Sequence, residues 1–384
     1  MSDFLEILQQ KIPWCPVEEN AVINWDKIET ENAAWIDPLR QTPQDPAWHG
    51  EGDVWTHTRM VCESLVASDD WKLCDKQDRF VLFMAALLHD VGKSVCTKNE
   101  DGHIVSPHHG RYGAQMARRF LFETLAMTGE SFLFRELIVF LIRRHTLSYN
   151  ILNRENPLRD VVAISTISSC RLLAILSDAD INGRIFADKH RSLESTKLFC
   201  QLADENDCLN RPYRFHSNHS GYAYFSGALS HPGEMLYDDT WGEVVLMSGL
   251  PASGKDTYIE RRFSDLPVIS LDALRNRLNV PWCDDQTPVI EAAREQARQF
   301  LRRKTPFVWN ATNLRYDFRR SIIRLCNDYK ASVRIIYLEN DLPTLLKRNY
   351  SRVRPVDESA YNTLLDRWEI PTTLESHELE IIAD

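Results

Sequence analysis

The apolar run Val244-Val245-Leu246-Met247 leads into Gly249-Leu250-Pro251-Ala252-Ser253-Gly254-Lys255-Asp256-Thr257. A buried strand that ends in such a loop has few options. The chain must turn sharply, expose a row of backbone N–H groups and begin a helix, and that combination binds phosphate. Glycines are required because a Cβ would keep phosphate oxygens away from those N–H groups. Gly249, Ser253, Gly254, Lys255, Asp256 and Thr257 are therefore the candidate ligands of ATP or another nucleoside triphosphate, with Lys255 reaching the β- and γ-phosphates. The residue after the lysine is ordinarily the Ser or Thr that ligates Mg²⁺. Here it is Asp256, so the ion's ligand is either this carboxylate, directly or through water, or Thr257.

Around the loop, from Trp241 onward, the pattern alternates between strand and helix. Glu243–Leu250, Pro267–Leu271, Pro306–Asn310 and Ser332–Leu338 are the expected strands, and Val289–Arg303 is an expected helix between them. Such alternation predicts an α/β domain with a parallel sheet. Ile269-Ser270-Leu271-Asp272-Ala273-Leu274-Arg275 puts a carboxylate at a strand's C-terminal end, where it can take a proton from an attacking hydroxyl. Arg275, one turn on, can grip an acceptor phosphate. The plainer alternative is a helix-capping Asp with a solvated arginine. The stretch Leu342 to Trp368 is expected to be a helical lid, with Arg348 and Arg352 on one face to close over the transferred phosphoryl group. The plainer alternative here is an exposed basic helix.

The N-terminal half has a different character. Phe80-Val81-Leu82-Phe83-Met84-Ala85-Ala86-Leu87-Leu88 is apolar all round, which predicts a buried helix, and Glu136–Arg144 and Val161–Leu176 repeat the theme. This half reads as all-α. Distributed through it are His57, His89-Asp90, His109, His145 and Asp180, with His89-Asp90 expected on one helix. Mixed imidazole and carboxylate ligands suit divalent transition metals such as Mn²⁺, Fe²⁺, Co²⁺ or Ni²⁺. An ion of that kind lowers the pKa of bound water and shields phosphoryl charge. His108 beside His109 and Asp178 beside Asp180 stand as alternatives. His49 reads as structural or substrate-facing.

The length of 384 residues predicts two domains. Their expected limits are 1–205 and 242–384, joined by a hairpin or irregular linker over 206–241, where Asn, Ser, Gly, His and Tyr dominate. No apolar run approaches the roughly 18 residues of a membrane span, and Met1-Ser2-Asp3-Phe4 begins neither a basic patch nor a signal core. Nine cysteines without Cys-x-x-Cys spacing suit a reducing cytoplasm and argue against a disulfide framework or a structural zinc. A net charge of −10 excludes a generic polyanion binder. Nucleic-acid contact should be local, and the arginines after Arg294 suit a chain end.

From Trp241 to the C-terminus the glycine loop, the Ser270-x-Asp272-x-x-Arg275 element, Trp309-Asn310-Ala311-Thr312-Asn313 and the Arg348-x-x-x-Arg352 lid resemble the polynucleotide 5′-kinase family. The resemblance implies Asp272 as general base on a 5′-hydroxyl, Arg275 on the neighbouring phosphate, and Arg348 and Arg352 on the ATP phosphates. Asn310 stands where that family has an Asp. Residues 47–184 resemble the HD phosphohydrolase superfamily, in particular the HD domain of bacterial CCA-adding tRNA nucleotidyltransferases. This second resemblance implies one metal site of His57, His89, Asp90 and Asp180, a second of His109 and His145 sharing Asp90, and Lys93 on phosphate. Together they resemble the HD-Pnk type of RNA end-healing enzyme. The implied partners are RNA ends, with DNA 5′ ends as an alternative acceptor, and a separate RNA ligase, since no Lys-x-Asp-Gly motif is present. Two rivals stand beside this: an HD nucleotidase fused to a nucleoside or sugar kinase, and a non-catalytic nucleotide sensor.

Overall fold

The structure, a computed structural model, describes residues 2–281 and 284–383, so Met1 and Cys283 lie outside the described residues. The chain divides into two compact units, Met1–Tyr213 and Arg214–Asp384.

The first unit is helical. The helices that bear on function are α1 (Val54–Ala67), α2 (Lys76–Leu88), α3 (His109–Glu123), α4 (Phe132–Arg144) and α5 (Cys170–Asn182). Every side chain from Phe80 to Leu88 is buried. Each such Leu, Phe or Met contributes about 1.5–3 kcal/mol relative to exposure, which fixes α2 as the central strut. Asp75 starts it by accepting the Asp78 N–H at 2.8 Å. The helix ends at Leu88, so His89 caps it and Asp90 follows in a turn, rather than both lying on the helix. The expected continuous helix Val161–Leu176 is also divided. Pro157–Ile167 stops, and Ser169 caps α5 by accepting the Leu172 N–H at 3.3 Å. A short antiparallel hairpin of β1 (Lys98–Glu100) and β2 (His103–Val105) interrupts the all-α pattern.

The second unit is built on a five-stranded parallel sheet of β3 (Glu243–Ser248), β4 (Val268–Ser270), β5 (Val308–Asn310), β6 (Ser332–Glu339) and β7 (Glu378–Ala383), in the order β4-β5-β3-β6-β7. The expected linker is not irregular throughout. It contains a helix, α6 (Asn218–Ser226), that belongs to this unit. Ser217 caps α6 by accepting the Ser220 N–H at 3.0 Å, Gly227 ends it at φ 92°, and Tyr222 joins the core beside Val244 and Leu246. The remaining helices are α7 (Lys255–Arg262), α8 (Leu271–Leu278), α9 (Thr287–Arg302), α10 (Tyr316–Asp328), α11 (Leu342–Tyr350) and α12 (Glu358–Asp366). The expected lid helix is thus two helices. Pro355 lies between them and disfavours helical geometry in the residue before it. Among the described residues no single helix is long and apolar enough to cross a membrane, and the eight described cysteines are free thiols.

Candidate metal centre and nucleotide site

In the first unit the helix ends bring His57, His89, Asp90, His109, His145 and Asp180 together. Gly92 permits part of this, because a Cβ there would lie 2.3 Å from the His109 carbonyl oxygen. The turn after Asp90 can therefore seat directly on α3. His57 Nε2 is 3.2 Å from His89 Nε2, 3.1 Å from Asp180 Oδ1 and 3.6 Å from Asp90 Oδ2. His89 Nε2 is 3.3 Å from Asp90 Oδ2. On the other side of the same carboxylate, Asp90 Oδ1 is 3.6 Å from His109 Nε2 and 3.8 Å from His145 Nε2, and those two nitrogens are 3.3 Å apart. Asp90 thus faces two histidine pairs with its two oxygens. The alternatives His108 and Asp178 stand outside the cluster: His108 is exposed in a left-handed turn, and Asp178 is associated with Thr196.

The tautomers follow from the outward contacts. His89 Nδ1 donates to the Ala86 carbonyl at 2.7 Å, His145 Nδ1 to Ile142 at 2.7 Å and His109 Nδ1 to Ser106 at 2.9 Å. The Glu51 carboxylate faces His57 Nδ1 at 2.9 Å. With the proton on Nδ1, the Nε2 lone pairs all point at one another. Acceptors facing acceptors in a buried site are unfavourable unless a cation sits among them. Neither Asp90 oxygen accepts a well-aligned hydrogen bond, although Lys93 Nζ approaches Oδ2 to 2.7 Å. These donors fit a divalent ion, and the two sets sharing Asp90 fit a pair.

Burial opposes the charge of Asp90, but Lys93 and His89 outweigh it and hold the carboxyl well below its usual range. Burial likewise opposes the charge of Asp180, and Arg184, His57 and His89 hold it well below the usual range. Burial, with His89 and His109 beside it, pushes His145 down to about 3, so its imidazole is neutral at pH 7. Burial also lowers His109. His89 moves upward, because Asp90 and Asp180 overcome the effect of burial. Lys93 does not stand free to meet a phosphate in this state; Nζ also donates to Gln44 Oε1 at 2.7 Å.

Three supporting residues escape the sequence reading. Glu51 Oε1 accepts from His49 Nδ1 at 2.8 Å while facing His57, which gives His49 a structural role. Burial resists the Glu51 charge, but His49, His57 and the Ile185 N–H hold its carboxyl well below the usual range. Arg184 Nε donates to Asp180 Oδ1 at 2.9 Å, and Tyr149 Oη donates to Asp180 Oδ2 at 3.2 Å. Glu51, facing His57 Nδ1, orients that imidazole and raises its basicity, while Arg184 and Tyr149 orient the Asp180 carboxylate. Glu51→Gln is therefore expected to weaken divalent-ion binding by roughly 10–100-fold, as read by calorimetric titration of the chelator-treated protein with Mn²⁺. An unchanged affinity would remove Glu51 from this role.

In the second unit the glycine loop lies between β3 and α7. Gly249 has φ 146°, and a Cβ there would lie 2.4 Å from the Leu338 carbonyl oxygen, so only glycine fits the bend. Gly254 caps α7 at φ 97°. Lys255 Nζ donates to the carbonyls of Gly249 at 2.9 Å and Leu250 at 2.8 Å, and burial lowers its pKa to about 8. Ser253, Gly254, Lys255, Asp256 and Thr257 line a cavity of about 1090 Å³. Gly249 shapes the loop behind it. Asn310 Nδ2 donates to Asp256 Oδ1 at 2.6 Å. The two departures from the usual motif thus form one pair, and Asp256 Oδ2 and Thr257 remain as candidate Mg²⁺ ligands.

The same cavity takes Asp272, Arg275, Arg348 and Arg352. Asp272 lies in the first turn of α8, where Ser270 rather than Asp272 is the cap, accepting the Ala273 N–H at 3.3 Å. Arg275 Nη1 donates to Asp272 Oδ1, and its Nε donates to Gln286 Oε1 at 2.7 Å. Arg352 Nη2 is 3.6 Å from Asp272 Oδ2. The expected shared helix face for Arg348 and Arg352 does not hold, because α11 ends at Tyr350 and Arg352 lies in the turn beyond. The turn still delivers both guanidinium groups to the cavity.

The HD domain family's sequence model matches residues 53–181, and a model described as an AAA domain matches residues 244–371. A multifunctional CCA protein from Halorhodospira halophila is 38% identical over 84 residues, which is 22% of this chain and 18% of the relative. This chain therefore spans under a fifth of that relative's length. A solved structure from Chloroflexus aurantiacus, described as a kinase, is 19% identical with a TM-score of 0.33, and covers 37% of this chain and 88% of its own. The two domain matches support a fusion of an HD phosphohydrolase domain to a P-loop kinase-like domain, one implying a divalent metal and the other a nucleotide with Mg²⁺.

Proposed function

We propose that the chain is a bifunctional RNA end-healing enzyme. It removes a 2′,3′-cyclic, 2′- or 3′-phosphate from an RNA 3′ end and phosphorylates a 5′-hydroxyl end with ATP. The observation that carries the reading is a carboxylate, Asp272, held between two arginines in the cavity of the glycine loop, in a chain that also gathers four histidines and two aspartates in one cluster. A bracketed carboxylate beside bound triphosphate suits an acceptor that carries both a hydroxyl and a neighbouring phosphodiester.

In the kinase half, Asp272 accepts the proton of the 5′-hydroxyl, and Arg275 holds the adjacent phosphate of the strand. Lys255, Arg348 and Arg352 neutralise charge on the transferred group. In the HD half, ions held by His57, His89, Asp90 and Asp180, and by His109, His145 and Asp90, would supply an activated water and shield phosphoryl charge. Glu51 and three backbone carbonyls keep the imidazoles in the ligating tautomer, and Arg184 holds Asp180 in place. The product ends, 3′-hydroxyl and 5′-phosphate, are those a separate RNA ligase joins. The test offers labelled ATP with either a 5′-hydroxyl RNA oligonucleotide or a free nucleoside, and in parallel a 3′-phosphorylated RNA with Mn²⁺. Label on the oligonucleotide and phosphate release from the RNA support the reading. Label on the nucleoside alone overturns it in favour of a small-molecule kinase.

A further inference from the structure

We propose that Trp48 and Phe186 form a stacking platform beside the histidine cluster that holds the base of the nucleotide carrying the 3′ phosphate. This rests on the RNA 3′-end reading of that cluster and adds how the end is held. The two rings lie 6.2 Å apart between centroids at 47°. Trp48 is 58% exposed, Phe186 is half-buried, and Ile185, which precedes it, is exposed. Isolated exposed apolar residues are ordinary. What distinguishes these is how firmly their backbones are tied to the cluster.

Trp48 sits in a turn closed by its own N–H to the Asp45 carbonyl at 3.0 Å and by the Ala47 N–H to Asp45 Oδ1 at 2.9 Å. The next residue, His49, has its ring centroid 4.7 Å from that of His57. Across from it, the Gly50 N–H donates to the Ile185 carbonyl at 2.9 Å, and the Ile185 N–H donates to Glu51 Oε2 at 2.9 Å. Glu51 is the residue that faces His57, and Arg184, just before Ile185, holds Asp180. The two aromatic residues are therefore three and two positions from Glu51 and Arg184. They also flank the stretch 53–181 matched by the HD domain.

A nucleobase is the occupant that fits. The phosphate of a 3′-terminal nucleotide must reach the cluster, and its base must then rest on whatever surface adjoins it. Aromatic faces accept every base, so binding without sequence preference follows. Three side chains are too few for a protein partner, which needs about 800 Å² on each side.

The experiment uses full-length protein and RNA oligonucleotides with a 3′ phosphate on either a normal or an abasic terminal nucleotide. Trp48→Ala is expected to raise KM for the normal oligonucleotide about tenfold with little change in kcat, and Trp48→Phe to restore most of the loss. The abasic oligonucleotide should show the raised KM with wild-type protein and no further rise with Trp48→Ala. Equal losses on both oligonucleotides, or none, would overturn the platform. A second readout does not need catalysis. An oligonucleotide ending in 2-aminopurine should be quenched on binding chelator-treated wild-type protein, and less so with Trp48→Ala or Phe186→Ala. Quenching that is the same in all three proteins overturns the platform, whereas graded quenching with no phosphate release from the Mn²⁺-loaded protein overturns only the end-healing reading.

Discussion

Asp90→Ala is expected to abolish release of phosphate from a 3′-phosphorylated RNA while ATP-dependent phosphorylation of a 5′-hydroxyl end continues at its wild-type rate. Among the described residues Asp90 is the one carboxylate that faces both histidine pairs, through Oδ2 toward His57 and His89 and through Oδ1 toward His109 and His145. Alanine takes a ligand from both sets at once. It also strips the buried Lys93 ammonium of its ion-pair partner and leaves it only Gln44. An uncompensated cation beside the cluster repels the ion the cluster would hold. The loss should therefore exceed the roughly 100-fold that outer partners cost. Kinase activity is the internal control, because its residues belong to the other compact unit. Phosphate release and label transfer measured on one preparation decide the matter. Retained release would exclude Asp90 from the chemistry, and joint loss would refute two independent sites.

The clustered histidines and aspartates were legible because each stands in its own local context: a helix start for His57 and His109, the end of an apolar run for His89 and Asp90, the cap of α4 for His145 and the last turn of α5 for Asp180. Glu51 was not. It acts by facing His57 from a loop and by accepting from Ile185, a residue far along the chain, and that pairing exists only once the fold has formed. Arg184 left a usable signal, since it follows Asp180 at helical i,i+4 spacing. Tyr149 left none, lying on a short 3₁₀ turn with no periodicity to read.

In the second unit the central strands announce themselves as apolar runs, as strands buried on both faces should. The edge strand β7 does not. Its sequence, Glu378-Leu379-Glu380-Ile381-Ile382-Ala383, mixes charge with apolar residues, and its acidic side chains lie near Arg334 on β6. Composition likewise concealed α6, whose Ser, Gly and Tyr residues have weak helix preference and are held by a cap and by the burial of Tyr222. Both misses arise where tertiary contact, not local pattern, decides the structure.

Asp272→Ala should produce the reverse phenotype, with kcat for phosphorylating a 5′-hydroxyl end falling by roughly 10²–10⁴-fold and phosphate release from RNA 3′ ends unchanged. The carboxylate is 68% exposed on its side chain, so truncation leaves the core intact and the melting temperature near that of the wild type. The contacts it loses are those of Arg275 and Arg352. Arg275 keeps its bond to Gln286 and so remains available to the strand's phosphate. The triphosphate loop is untouched, since Lys255 is held by the carbonyls of Gly249 and Leu250. KM for ATP should therefore stay within a small factor of its wild-type value while kcat collapses, the pattern of an interaction made only in the transition state. A rise in KM for ATP with kcat preserved would instead make Asp272 an anchor for the two arginines, and would remove the proton acceptor from the proposed reaction.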